Sequence, residues 1–453
     1  MQKNMIYFHS EALILLHWQS GGNISEMKGA IILMLQENQK KYDEKAKRVG
    51  DAIALKEPDR VPVMPAPGTF AVLNAGYTIA EVIYDTSLQK IKNAVLKYLN
   101  DFDPDAGTGV GEIFAGEGPV LEMLEPNNFR WAGMPGDIID KNSIQQFIEF
   151  PLLLDDEYDE FFKDRTGWAM KKAIPRISGL LKPLSEFRYG LGNVNMLGRM
   201  VANVFSEPDF RNMIEKLWLI NDFYKEYQKK ADDLRAAVEN AGYPIYQGGG
   251  AGVPFDFYSD FLRGTILTME DLYERPEDIE RYIDETLPVT LENIRSQKDV
   301  NVGKHVFMAL HKGFDSFLND EHYRKYYWKH LRQIIETLVD CGKVPYVFCE
   351  GQYDRRLDCL TEVPPGKVFY YFEKVDMAVA KKKLGNIACI AGVFPSASLD
   401  WETPGQIRDR VKKLVDICAP GGGYIFMTSC GMGKCKRENV EALFEAVKEY
   451  GVY

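Results

Sequence analysis

The first 340 residues contain no cysteine; all seven lie between Cys341 and Cys435. An odd number confined to the last quarter of a long chain excludes a secreted disulfide framework. It leaves reduced thiols, with room for a metal site among a few. No stretch approaches the roughly 18 apolar residues of a membrane span. Basic charge is not in excess: 55 Lys and Arg face 66 Asp and Glu, a net charge of −11, so no polyanion-binding surface and no nucleic-acid partner is expected. The short apolar run ALILLHW at 12–18 sits beside Glu11 and has neither a basic leader nor a small-residue cleavage site. It does not read as a signal peptide, and a cytoplasmic protein is expected. Residues 1–26 share no pattern with the rest of the chain, which makes Met27 a candidate start. Low-complexity tracts, short repeats and long linkers are missing as well, so no clean domain boundary shows.

What is present is a rhythm. Residues 1–50 read as an N-terminal extension and helix, and about 80–240 as mainly helical. After residue 240, short apolar runs alternate with amphipathic helices: YPIYQGGG, KHVFMALHKG, VPYVFCEG, KVFYYFEKVD, NIACIAGVFP and GGGYIFMTSCGM each precede a helical pattern. Such βα units imply a parallel sheet. Because no G-x-G-x-x-G follows the first strand, a closed (β/α)8 TIM barrel with additional N-terminal and inserted helices, spanning 51–453, is predicted over an open dinucleotide-binding sheet. Thr403, Pro404 and Gln406 predict a capped helix start.

In a barrel, chemistry sits at the strand C-termini. Here those ends carry His311 and Lys312, Cys349 and Glu350, Glu373 and Asp376, and Cys430, whereas the strand starts carry Lys, Gly, Pro and Asn. His311 reads as a general acid, a ligand or a hydrogen-bonded rim residue. Glu350 reads as an acid, a ligand or an orienting acceptor. Cys389 lies inside its strand and reads equally as a small buried hydrophobe or, if inward-pointing, as a residue reaching the mouth from below. The GGG run at 421–423 precedes its strand, the wrong end for a ligand, and predicts a tight turn.

At KEPDRVPV, NNFRWAGMPG, PFDFYSDFLRG, MALHKGFDSFLND, CEGQYDRRL, NIACIAGVFPSASLDWETPGQI and GGGYIFMTSCG, in this order over most of residues 50–440, the chain resembles the uroporphyrinogen decarboxylase superfamily and its corrinoid-dependent methyltransferase branch. That resemblance implies one Zn2+ at the barrel mouth and methyl exchange with a corrinoid carried by a partner protein. Cys430 matches the last zinc cysteine of the branch. The His-x-Cys pair of the coenzyme M enzymes is not reproduced, since VFCEG supplies Cys349 with Val347 two places before it. The expected ligands are therefore Cys349, Cys389 and Cys430, with His311 and Glu350 as catalytic acids.

The expected activity is O-demethylation: methyl transfer from a small methylated donor, a methoxylated aromatic ether first, to Co(I) of the partner. A methyl-corrinoid to thiol transferase and a porphyrinogen decarboxylase, which grips its acidic substrate with arginines, are the alternatives. No D-x-H-x-x-G cobalamin pattern occurs, so a corrinoid would belong to the partner.

Overall fold

The computed structural model describes residues 24–109, 111, 113–136, 138–187, 192–246, 248–298 and 304–453; the 12–18 run lies outside them. Five regular strands form a parallel sheet in sequence order: β1 (His305–Leu310), β2 (Val344–Gln352), β3 (Phe369–Lys374), β4 (Cys389–Gly392) and β5 (Tyr424–Ile425). Their register brings Leu310 opposite Cys349, Cys349 opposite Phe372, and Phe372 opposite Gly392.

Three irregular staves continue the ring. Val63 bridges Phe426 beyond β5, Asp105 N–H donates to the Val63 carbonyl at 2.8 Å, Gly107 bridges Ile245, and Gly250 bridges Phe307 of β1. Five strands and three single-bridge staves make eight, the count of the expected barrel. The inserted helices, including α2 (Pro208–Asn240), fall between the stave at Gly107 and the stave at Ile245.

Two apolar layers follow from side-chain alternation along each stave. One fills the interior with Met64, Phe369, Tyr371, Cys389, Ala391 and Ile425. Its floor is closed by Val49, Ala52 and Ile53 of the long helix α1 (Ile24–Ile53), which runs through Met27 without a break. The other layer joins the outward faces, among them Val347, Cys349, Tyr370 and Phe372, to the surrounding helices. Each fully buried aliphatic or aromatic side chain here is worth about 1.5–3 kcal/mol.

The long helix after β4, α3 (Pro404–Cys418), starts as its sequence predicts. Thr403 and Gln406 form a reciprocal capping box, with Pro404 in the first turn. The predicted tight turn before β5 is also present. Gly422 has φ +71, and an added Cβ would lie 2.5 Å from the Lys56 backbone, so glycine is required there. Among the described residues no helix is long and apolar enough to cross a membrane.

Candidate active site at the barrel mouth

β1 ends at Leu310, and the next two residues, His311 and Lys312, turn into the mouth. They are held by a helix across the rim, Pro254–Phe257, which continues as a π-helical turn, Tyr258–Arg263. Asp256 and Asp260 are four apart and therefore share one face of it. Asp260 Oδ2 meets His311 Nδ1 at 2.5 Å, and its Oδ1 lies 3.1 Å from Lys312 Nζ. Asp256 takes the backbone instead, accepting from His311 N–H at 3.2 Å and Lys312 N–H at 2.9 Å. It also accepts from the Tyr327 hydroxyl at 2.6 Å.

These contacts set the protonation states. The hydrogen bond to Asp260 raises the His311 pKa to about 9, burial opposing and the charges of Asp260, Asp256 and Glu350 adding. Burial raises Asp256 to about 7 against the Tyr327 hydrogen bond. With Nδ1 committed to Asp260, His311 Nε2 is the atom turned toward Glu350, 3.8 Å from Oε2. Burial also raises Glu350, countered by His311 and reinforced by Glu373 and Asp260. Glu373, from β3, accepts the Gly351 N–H at 2.6 Å.

The resulting cavity, about 380 Å³, is lined by His311, Lys312, Phe314, Glu350, Gly351 and Glu373. A second, of about 400 Å³, shares Gly351 and Glu373 and extends to Lys374, Val393, Pro395 and Ser429. Neither is lined by an arginine, and the carboxylates of Glu350 and Glu373 would repel an acidic tetrapyrrole.

The structure brings His311 and Glu350 together, but not the three cysteines. Cys349 points away from the mouth: it is fully buried in the outer layer, in the neighbourhood of Tyr323, Tyr353 and Tyr370. Burial pushes its thiol well above the ordinary range, the opposite of what a thiolate ligand needs. Cys389 does point inward, but at the first residue of β4, down among the α1 floor residues, and burial raises its pKa as well. Only Cys430 is at the rim, half-buried, its Sγ 3.0 Å from Ser396 Oγ.

Among the described residues no three His, Cys, Asp or Glu side chains converge to hold a metal ion. The expected zinc set of Cys349, Cys389 and Cys430 therefore does not fit this barrel. The physical reason is alternation: Cys349 and Glu350 are consecutive, so only one of them can face the mouth. Asp256 and Asp260 were missed; the signal was the D-x-x-x-D spacing within the aromatic string PFDFYSDF.

Residues 196–450 match the family model described as uroporphyrinogen decarboxylase. Among solved structures, a methyltransferase from Methanosarcina mazei superposes with a TM-score of 0.55 at 13% sequence identity. The match covers 89% of this chain and 98% of that one. No curated protein matches the chain.

Proposed function

The chain belongs to the uroporphyrinogen decarboxylase family, and from that premise we propose that it is a methyltransferase, moving a methyl group from a small methylated donor to a corrinoid carried by a partner protein. The donor we favour is a methoxylated aromatic ether. The observation that carries this reading is the Asp260–His311–Glu350 array at the open end of the barrel.

The corrinoid supplies the nucleophile for the methyl carbon, and the remaining work falls to this chain. When the O–CH3 bond breaks, the electron pair stays on oxygen, which needs a proton. His311 Nε2 is placed to give it, while Asp260 holds the ring and stabilises the imidazolium beforehand. A donor acid near 9 is matched to a phenol-type leaving group, whose ordinary pKa is about 10, so the transfer runs downhill. An alkoxide, being more basic, would call on the same acid more strongly. Glu350, half-exposed beside Nε2, orients the donor or relays a fresh proton from solvent to His311.

The fold likeness to a methyltransferase supports the same reading, as does a mouth without the arginines that a porphyrinogen decarboxylase requires. The test mixes the protein with a reduced corrinoid protein and a panel of methoxybenzenes and follows methyl-cobalt absorbance. Methyl-cobalt formation with wild type and its loss in His311→Gln is expected. Absence of any transfer with aryl, alkyl and amine donors alike would remove the proposal.

A further inference from the structure

Asp256 stands behind the His311–Asp260 pair and makes a different kind of contact. Its side chain is 6% exposed, and three donors point at it: two backbone N–H groups and the Tyr327 hydroxyl. No cation forms an ion pair with it among the described residues. Lys312, whose backbone it holds, sends its ammonium to Asp260 and to Thr265 Oγ1 instead.

We propose that Asp256 is a positioning residue for the mouth: a buried carboxylate that clamps the His311–Lys312 backbone and holds the imidazole of His311 as a cation turned toward Asp260.

The surroundings leave it little freedom. Tyr327 is fully buried, and both its ring and the Tyr353 hydroxyl press on Gly313, where an added Cβ would lie 2.8 and 2.5 Å away. The Tyr353 hydroxyl beside it is buried without a hydrogen-bond partner, and the Tyr327 hydroxyl is given to Asp256. A carboxylate buried without a counter-ion is costly unless a positive charge stands near, and His311 is the one its position favours. The charge of Asp256 adds to the raised pKa of His311, and His311 in turn pulls Asp256 down against the burial that raises it to about 7. Asp260 faces the imidazole from across the rim, Glu350 of β2 and Glu373 of β3 share its cavity, and Lys312, next in the chain, is paired with Asp260. Replacing Asp256 therefore removes one of several negative charges, not the only one.

The proposal rests on the proposed function only in naming His311 the acid, and its test needs no methyl donor. The chain has six histidines, so the imidazole signal of His311 can be assigned in a histidine-labelled NMR spectrum by its loss in His311→Gln. In Asp256→Asn the His311 titration midpoint is expected to fall, with at least about a threefold loss of proton affinity. The His311 and Lys312 amides should exchange with solvent faster. Tyr327→Phe, which keeps the packing and deletes one donor, should move the midpoint in the same direction by less. An unchanged midpoint in both variants would overturn the proposal; if Asp256→Asn fails to fold, an unchanged midpoint in Tyr327→Phe does so alone. Methyl transfer can fail while this titration behaves as expected, and the reverse, so the two ideas are judged separately.

Discussion

Cys349 and Glu350 are neighbours in the chain and on opposite faces of β2: the thiol is sealed against the helical layer, and the carboxylate opens into the mouth. A one-residue step along a strand thus separates a packing role from a chemical one.

Replacing Cys349 by Ala should cost about 1 kcal/mol of stability, from a small cavity in the outer layer, and leave methyl transfer intact. Chemical denaturation and the methyl-cobalt assay measure the two. Loss of activity in a folded C349A protein would return the thiol to the chemistry.

His311→Gln should lower the methyl-transfer rate by about 10²–10⁴, the usual worth of a placed general acid. In wild type the rate should hold up to about pH 9 and decline above it, because the group must be protonated to donate. Asp260→Asn removes the largest cause of the raised His311 pKa, so the alkaline limb should move toward the ordinary value of 6.5. A pH–rate profile that is identical in D260N would show that the limb belongs to another group.

Both raised pKa values should also make stability decline as pH rises. Asp256 is raised from 3.8 to about 7, so the native state holds its proton more tightly than the unfolded chain. Its contribution is fully present below the ordinary carboxylate range and is lost as pH climbs to about 7. His311, raised from 6.5 to about 9, behaves in the same sense one window higher, with a smaller effect because its ring is half-exposed. Urea midpoints measured between pH 4 and pH 9 should fall with pH, and the step between 4 and 7 should be absent in Asp256→Asn.

Gly422→Ala should destabilise the chain by more than about 1 kcal/mol, because the left-handed turn is strained for alanine and the methyl meets the Lys56 backbone. Thermal melting checks it. Gly421→Ala at φ +79 has open space, so it separates the backbone strain from the clash.

The βα rhythm from residue 305 onward was legible because each stave is an unbroken apolar run followed by a capped or amphipathic helix, as in NIACIAG and TPGQIRD. The stave at Ile245–Gly250 shows in YPIYQGGG and the one at Val63 in the extended run KEPDRVPV, but the one at Gly107 left little trace: it is held by an isolated bridge and backbone bonds, which ask for no β-branched run. At the mouth, His311 and Glu350 were visible as polar breaks at strand ends. Asp256 and Asp260 were not, because their helix is written in phenylalanine and tyrosine and reads as core. The cysteines misled in the opposite way. Residue type and approximate height along a strand suggested ligands, whereas facing direction decides, and the layers place Cys349 outside and Cys389 at the bottom.

The seal that α1 makes with Val49, Ala52 and Ile53 has a kinetic corollary. A vessel stoppered at one end gives its visitors a single doorway. In the proposed reaction the methyl donor must be seated before a bulky recipient covers the entrance, and the remnant departs only after that cover lifts. Compulsory-order kinetics, with the demethylated remnant competing against fresh donor, are the signature of such a plugged cylinder.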